Sequence, residues 1–387
     1  METQIAESLE YFPVVAITGP RQCGKSTLAK ELLAQRTKSS TNANQGQSLY
    51  LDLERPSDTT RLSDPELFLG MQKGKTICID EIQRMPNLFP LLRSLVDEWQ
   101  APGSFLILGS ASRDLLKQSS ETLAGRIAYH RLMPFLWSEI KGQTNLADYL
   151  VRGAFPKSIL AQKPSQSLSW LSNFTSTFLE RDLLAWIGAS PTSMRRLWTM
   201  LAHENGATVN YSRLGSALGV SDKTVRNHID VLASTYMLDL VPPHHSNLGK
   251  RLIRAPKVYL TDTGLTTSLL GLRSTEDMLG HPGFGALWEQ AVLMNLRGLY
   301  PDAEITHYRT AGGAEMDFVV NVNSNIFAVE CKASAAPKLS AGTHNAIEDI
   351  KPKHTFVVAQ VSQPYPHSEG IDVIRIDDLA EMASLKF

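Results

Sequence analysis

Residues 19–26 read GPRQCGKS, a spacing in which a glycine-rich turn ends in Gly-Lys-Ser. The apolar run Val14–Thr18 comes directly before this segment, and the helical sequence LAKELLAQ follows it. Glycine lets the backbone turn successive N–H groups toward a phosphate, and the start of a helix adds a positive dipole end. Because strand, loop and helix occur in this order, the segment predicts a P-loop that binds ATP.

The P-loop residues also predict how ATP and Mg²⁺ are held. Lys25 is expected to contact the phosphates as a catalytic residue, and the Ser26 hydroxyl is expected to be a ligand of Mg²⁺. The residues predicted to bind the nucleotide are Gly19, Pro20, Arg21, Gln22, Cys23, Gly24, Lys25, Ser26 and Thr27.

The segment TICIDE is an apolar run that ends in two adjacent acids, Asp80 and Glu81. Asp80 is predicted to be a second protein ligand of Mg²⁺, and Glu81 a general base that polarises the attacking water. The alternative is a pair of surface acids at the end of a strand. The distance of this strand from the P-loop favours the catalytic interpretation.

Three further residues follow the apolar run FLILG. Ser110 is predicted to be a catalytic residue that orients the water or the γ-phosphate, with a simple turn serine as the alternative. Arg113 and Arg126 are candidates for an arginine finger, and of the two Arg126 is predicted to be a catalytic residue. Either arginine could instead be an ion-pair partner, and a finger that acts on a neighbouring subunit requires a homo-oligomer.

A second set of acids lies near the end of the chain. Alternate residues of a strand share one face, so Glu330 and Lys332 are expected to project together, as are Glu315 and Asp317. If the two strands pair, and a helix supplies Glu289, these residues converge. Glu289, Asp317 and Glu330 then predict a Mg²⁺ site, with Lys332 as a catalytic residue that positions water for phosphodiester attack. The alternative is a set of ion pairs in an inactive fold.

The middle of the chain contains the pattern of a helix-turn-helix. Leu214 and Leu218 are spaced to face inward on a first helix, Gly219 makes the turn, and Ser221 caps a second helix. The outward residues expected to face DNA are Lys223, Thr224, Arg226, Asn227 and His228. The basic segment 244–257 is predicted to be the wing of a winged helix, and a purely structural or partner-docking module is the alternative.

Apolar strands alternate with helical patterns in the first third of the chain, which predicts an α/β fold with a parallel sheet and flanking helices. A helical, winged-helix-like middle domain and a second α/β domain follow. The predicted domains are residues 1–148, 149–270 and 271–387. The predicted strands are Val14–Thr18, Ser48–Leu53, Thr76–Asp80, Phe105–Gly109, Ile127–Met133, His307–Arg309, Met316–Val320, Ile326–Cys331, His354–Val361 and Asp372–Ile376.

The composition excludes several classes of protein. The 387 residues include 38 basic and 39 acidic side chains, so nucleic-acid contact would have to come from a local patch. Three separated cysteines argue against a disulfide framework or a zinc site. The sequence offers neither a signal peptide nor an apolar run of about 18 residues, so we expect a cytoplasmic protein without a membrane span.

The motifs in their order resemble a family of bacterial and archaeal AAA+-type ATPases. The resemblance rests on GPRQCGKST, YLDLERP, CIDEIQ, LGSAS and ETLAGRI, followed by RGAFP, FLERDL and KVYLTDTGL. It implies an AAA+ core, a small helical region and a C-terminal domain of undefined role. The acids near the end of the chain resemble the PD-(D/E)xK nuclease superfamily, with Asp317, Glu330 and Lys332 in its D…ExK core and Glu289 as its helical acid. This second resemblance implies a restriction-endonuclease-like fold.

Three functional hypotheses follow from these patterns. The first is a Mg²⁺-dependent ATPase that couples its nucleotide state to a DNA-directed, nucleolytic C-terminal domain. The second is an ATP-dependent signalling switch or scaffold for a protein partner, with an inactive nuclease fold. The third is an ATP-dependent DNA-binding regulator that reads sequence through residues 223–228.

Overall fold

A computed structural model describes residues 1–39, 48–109, 122–179, 190–244 and 252–382. The chain divides into two compact units. The first comprises Met1–Pro134 with the short segment Ser234–Tyr236, and the second comprises Phe135–Ala233 and Met237–Phe387. The predicted boundaries at residues 148 and 270 remain a proposal.

The first unit contains a five-stranded, all-parallel sheet with helices on both faces. Its elements are α1 (Glu2–Tyr11), β1 (Val14–Thr18), α2 (Lys25–Ser39), β2 (Ser48–Asp52), α3 (Pro56–Arg61), α4 (Pro65–Gly70), β3 (Thr76–Asp80), a 3₁₀ turn (Ile82–Arg84), α5 (Leu88–Trp99), β4 (Phe105–Gly109) and β5 (Ile127–Arg131). The strand order is β2-β3-β4-β1-β5, so β4 lies between the P-loop strand β1 and the strand β3 that ends in Asp80.

The two covered faces of this sheet explain why its three inner strands, β1, β3 and β4, are continuously buried. Val14 and Ala16 belong to a core on one face, where α5 contributes Leu92 and Trp99. Val15 and Ile17 belong to a second core on the other face, which also includes residues of α1 and α2. Because both faces are covered, neither set of alternate residues can be polar. The predicted parallel sheet with flanking helices is thus confirmed.

The second unit begins with helices and a two-stranded antiparallel hairpin. Its elements are α6 (Trp137–Ile140), α7 (Leu146–Arg152), α8 (Pro156–Ile159), α9 (Pro164–Thr177), α10 (Pro191–His203), α11 (Tyr211–Leu218), α12 (Asp222–Ser234), β6 (Leu238–Val241), β7 (Lys257–Leu260), α13 (Thr263–Leu270), α14 (Thr275–Leu279) and α15 (Phe284–Leu299). Strand β6 pairs with β7, and α11 and α12 precede this pair with a turn at Gly219, whose φ is +71°.

A six-stranded mixed sheet completes the second unit. Its elements are β8 (Glu304–Arg309), β9 (Glu315–Val322), β10 (Asn325–Lys332), α16 (Ala341–Ile350), β11 (His354–Ala359), β12 (Tyr365–Ser368), β13 (Ile371–Ile374) and a 3₁₀ turn (Ile376–Glu381). The strand order is β12-β13-β11-β10-β9-β8, with β8, β9 and β10 antiparallel and β11 parallel to β10. Strands β9 and β10 are joined at Asn323 and Ser324, both with positive φ, which suits a tight hairpin turn.

None of the helices in the described parts of the chain is both long and apolar enough to cross a bilayer.

Candidate nucleotide site and C-terminal acidic cluster

The P-loop follows the carboxyl end of β1 and leads into α2, as its sequence predicts. Gly19 has a φ of +147°, and a Cβ placed on it would lie 2.3 Å from the carbonyl oxygen of Leu132, so only glycine fits. Gly24 has a φ of +107°. These two positions explain why the turn needs glycine at both ends.

The remaining loop residues divide between the interior and the surface. Pro20 is buried, and the thiol of Cys23 is buried and faces the carbonyl of Leu132 at 3.6 Å. The Arg21 guanidinium lies 3.9 Å from Glu54 Oε1, while Gln22 and Thr27 are exposed. The Cys23 side chain therefore packs into the domain, and this residue can offer a phosphate only its backbone N–H.

Lys25 is 6% exposed and is held by the loop itself. Its ammonium donates to the carbonyl oxygens of Gly19 at 3.0 Å and Pro20 at 2.8 Å. These bonds satisfy a buried charge with neutral acceptors. A phosphate oxygen is a stronger acceptor for the same donor, because a hydrogen bond from an ammonium to a negatively charged oxygen is stronger than one to a neutral carbonyl oxygen.

Ser26 and Asp80 are brought into direct contact although they come from different motifs. The Ser26 hydroxyl donates to Asp80 Oδ2 at 2.7 Å. The hydroxyl of Tyr50, on β2, donates to the same oxygen, and burial together with Asp80 raises the pKa of Tyr50, so the phenol stays a donor at neutral pH. Serine and carboxylate oxygens are ligands that Mg²⁺ prefers, and these two residues fit the predicted ion.

Glu81 follows Asp80 in a left-handed backbone conformation, with a φ of +57°. Its own N–H donates to Asp80 Oδ1 at 3.0 Å, and the Gln83 amide donates to Glu81 Oε2. Burial raises the pKa of Glu81, while the charges of Lys25 and Arg21 oppose the rise. The backbone conformation is uncommon outside glycine, and it occurs where the sequence predicts a general base.

The predictions at Ser110 and Arg113 lie outside the described residues. Arg126 precedes β5 and forms a two-bond ion pair with Asp97, at 2.5 Å and 3.0 Å. Its carbonyl accepts from the N–H of Val14, the first residue of β1. Arg126 therefore lies at the amino ends of the parallel strands, whereas the P-loop lies at their carboxyl ends. Within one subunit it is at the wrong edge of the sheet for an arginine finger.

The predicted residues of the C-terminal site converge around two adjacent strands. Ala328 pairs with Val319 and Val329 with Phe318. Continued by one residue, this register sets Glu330 opposite Asp317. The N–H of Cys331 donates to Asp317 Oδ2 at 2.9 Å. Burial, and after it the charge of Asp317, raises the pKa values of both Glu289 and Glu330. We refer to Glu289, Glu315, Asp317 and Glu330 as the acidic cluster.

Lys257 lies inside the acidic cluster, although the sequence patterns did not assign it to the site. Its ammonium is 2.8 Å from Glu289 Oε1, 3.0 Å from Asp317 Oδ1 and 3.6 Å from Glu315 Oε1. Tyr259, two residues along β7, also donates to Glu289 Oε1. Alternate residues of a strand share a face, so β7 presents two donors to one carboxylate. The signal in the sequence is a lysine that opens the otherwise apolar strand KVYL.

Glu330 occupies a separate part of the cluster. Its Oε1 accepts from Lys332 at 2.7 Å and from the Thr343 hydroxyl at 3.2 Å, and its Oε2 is buried without a hydrogen-bond partner. Burial, with Asp317 second, raises the pKa of Glu330 to about 7. The same two causes raise the pKa of Glu289 to about 8. The predicted pairing of Glu330 with Lys332 on one face agrees with this geometry.

The acidic cluster does not fit a divalent metal ion in this arrangement. In the described parts of the chain, no group of three or more His, Cys, Asp or Glu side chains could hold a metal ion. The Lys257 ammonium bridges the facing oxygens of Glu289 and Asp317, which are two of the three predicted ligands. Burial opposes the charge on Lys257, but Glu289 and Asp317 outweigh it and raise the pKa of the lysine.

The helix-turn-helix pattern corresponds to α11 and α12, with one correction. Lys223, Arg226 and Asn227 are exposed, and the Arg226 guanidinium stacks 3.9 Å above the Tyr211 ring. His228 was expected to face outward but is 7% exposed, and burial lowers its pKa. It follows Val225 by three positions, one turn later on the buried face.

The motifs RGAFP and KVYLTDTGL meet at Asp262. This fully buried carboxylate accepts the N–H of Ala154 at 2.6 Å and that of Leu265 at 3.0 Å. A Cβ on Gly153, whose φ is +69°, would lie 2.1 Å from Asp262 Oδ1. The two motifs therefore form one hydrogen-bonded contact, a structural joint around Asp262, within the second unit.

A parallel sheet with a P-loop after β1 and an acidic pair after β3 defines a P-loop ATPase domain of the AAA type. A family model described as an AAA domain matches residues 11–141. Two models for domains of unknown function, DUF8612 and DUF4143, match residues 143–276 and 284–379.

The chain belongs to the same family as two uncharacterized mycobacterial proteins. These are Mb2031c of Mycobacterium bovis and Rv2008c of Mycobacterium tuberculosis, each 36% identical to this chain over 385 residues, which is 99% of this chain and 84% of the relative. Among solved structures, the Walker-type ATPase PABY2304 of Pyrococcus abyssi aligns with a TM-score of 0.45 at 12% identity, covering 70% of this chain and 94% of that protein.

Proposed function

We propose that this protein binds ATP with Mg²⁺ through residues 19–27 and Asp80, and hydrolyses it. The contact of 2.7 Å between Ser26 and Asp80 carries the proposal, because it joins the two motifs that would have to share one ion. Mg²⁺ would neutralise phosphate charge as the γ-phosphoryl group leaves.

The residues of the chain supply the remaining chemistry. The loop N–H groups and the start of α2 orient the phosphates, and Lys25 exchanges its two carbonyl acceptors for phosphate oxygens. Glu81 accepts the proton of the attacking water, and Gln83 fixes the orientation of that carboxylate. The upward shift of the Glu81 pKa makes it a better base than an exposed glutamate.

The test measures ATP binding and phosphate release with three variants. We expect Lys25→Ala to lose both, and Glu81→Gln to bind ATP while turning it over on the order of 100-fold more slowly. Lys73→Ala is the matched control, because Lys73 is an exposed lysine of the same unit, paired with Glu98. Wild-type turnover by Lys25→Ala would contradict the proposal.

We extend the proposal to a coupling between nucleotide state and DNA contact through α12. The exposed residues Lys223, Arg226 and Asn227 support this extension, since a recognition helix needs donors that point outward. We expect binding to a DNA duplex, measured by fluorescence anisotropy, to weaken with salt and to weaken further in Lys223→Ala. Equal binding of Lys223→Ala and wild type would favour the alternative, an ATP-dependent switch for a protein partner.

A further inference from the structure

Basic side chains of the same unit pair with the carboxylates of the acidic cluster. Glu315 pairs with Arg309 at 3.6 Å, and Glu330 pairs with Lys332. Glu289 and Asp317 remain, and each is close to the Lys257 ammonium. Two buried carboxylates side by side repel each other, and a cation between them stabilises their charged forms.

The geometry around Lys257 is that of a fixed cation site. The side chain is 2% exposed, and its ammonium lies between Glu289 Oε1 and Asp317 Oδ1. An ammonium has three donors, and the third faces Glu315 Oε1 at 3.6 Å. Tyr259 completes the coordination of Glu289 with a neutral donor. Glu289 Oε1 and Asp317 Oδ1 are thereby already bonded, and Asp317 Oδ2 accepts the N–H of Cys331.

We infer that Lys257 is the resident cation of the acidic cluster, and that the cluster takes this ammonium in place of a divalent metal ion. The ammonium and a divalent ion would compete for the same two oxygens, and like charges at such short distance repel. The nuclease-like residues then form a site whose cation is the side-chain ammonium of a residue in β7. This inference goes beyond the ATPase function and is independent of it.

The inference has a consequence for phosphodiester chemistry. A divalent ion activates water by lowering its pKa, and an ammonium with a raised pKa cannot do so. Lys332 pairs with Glu330 Oε1, and Glu330 Oε2 is buried without a hydrogen-bond partner. The C-terminal sheet therefore keeps the residue pattern of a nuclease while lacking its metal-dependent step.

The test counts Mn²⁺ ions bound to the nucleotide-free, full-length protein by electron paramagnetic resonance. Mn²⁺ reports on sites that accept Mg²⁺. The variants are Lys257→Met, which keeps the aliphatic volume, Glu330→Gln, the double variant Lys257→Met/Glu330→Gln, and Lys353→Met. Lys353 is the matched control, because it is an exposed lysine of the same unit.

We expect wild type, Glu330→Gln and Lys353→Met to bind the same number of ions. Lys257→Met should bind one additional ion, and the double variant should lose it. Without metal, Lys257→Met should melt at a lower temperature than wild type, and millimolar Mn²⁺ should reverse much of that loss, since ligands that bind the folded state stabilise it.

Two results would overturn the inference. One is a folded Lys257→Met protein that gains no ion, and the other is a wild-type protein that loses a bound ion on Glu330→Gln substitution. The second comparison does not need Lys257→Met to fold. ATP turnover is measured in parallel, so failure of the ATPase proposal is visible separately from failure of this one.

Discussion

The Ser26 hydroxyl and Asp80 Oδ2 lie 2.7 Å apart, which joins two motifs separated by 54 positions in the sequence. Strand β4 lies between β1 and β3, so this contact is not a consequence of neighbouring strands. It arises because both side chains project at the carboxyl edge of the sheet, where ligands bind in open α/β folds.

Tyr50 should control the affinity of the site for Mg²⁺. Its hydroxyl donates to the Asp80 oxygen that also contacts Ser26. Loss of such a partner typically weakens metal binding, so Tyr50→Phe should raise the Mg²⁺ concentration for half-maximal ATP turnover about 10-fold. Tyr11→Phe, which alters an exposed tyrosine, is the control. An unchanged Mg²⁺ dependence in Tyr50→Phe would show that Asp80 is oriented without Tyr50.

If Arg126 is an arginine finger, it must act on a neighbouring subunit. It lies at the edge of the sheet opposite the P-loop and pairs with Asp97. We expect Arg126→Ala and Lys25→Ala each to lose turnover alone, and an equimolar mixture of the two to recover part of it. In the mixture, a subunit with an intact P-loop can lie next to a subunit with an intact Arg126. No recovery, with both variants forming oligomers, would assign Arg126 to the ion pair alone.

The joint between Gly153 and Asp262 should be sensitive to a single methyl group. Gly153→Ala places a Cβ 2.1 Å from a fully buried carboxylate oxygen, and we expect it to lower the free energy of unfolding by about 3 kcal/mol or more. Gly271→Ala has a similar φ of +74° with no atom within 4 Å, so it should cost only about 1 kcal/mol. Urea unfolding measures both, and equal losses would mean that the backbone conformation alone matters.

Glu330 should make stability depend on pH in an unusual direction. Its pKa is raised from 4.5 to about 7 in the folded protein. The stabilising contribution of Glu330 to the free energy of unfolding is therefore fully present below pH 4.5 and is lost as the pH rises through 7. Glu330→Gln removes this dependence. Between about pH 5 and pH 8, we expect the variant to gain stability relative to wild type, with a ceiling of about 3 kcal/mol. Unfolding curves at both pH values test this, and a constant difference would refute it.

The nucleotide-binding half is the part that local sequence predicts best. Three of its strands, Val14–Thr18, Thr76–Asp80 and Phe105–Gly109, have the predicted bounds. Their residues are buried on both faces, so each strand is a continuous apolar run with sharp ends. The P-loop is likewise contiguous, and its glycines are required by local geometry.

The parts that sequence did not predict depend on contacts between distant residues. Lys257 and Glu289 meet only because β7 and α15 belong to the same folded unit. His228 was placed on the wrong face because its ring is polar, although its spacing from Val225 fits the interior. Strand Tyr365–Ser368 has no apolar alternation, because all four of its residues are exposed at the edge of the sheet.

Lys257 belongs to the segment matched as DUF8612, whereas Glu289, Asp317 and Glu330 belong to the segment matched as DUF4143. The border between the two family models therefore passes through one group of ion-paired side chains. A fragment that starts at residue 284 would keep the three carboxylates but lack Lys257, so Glu289 and Asp317 would be left without the ammonium that pairs with them. For recombinant work or for exchange between relatives, a fragment that keeps this group together has to begin before Lys257.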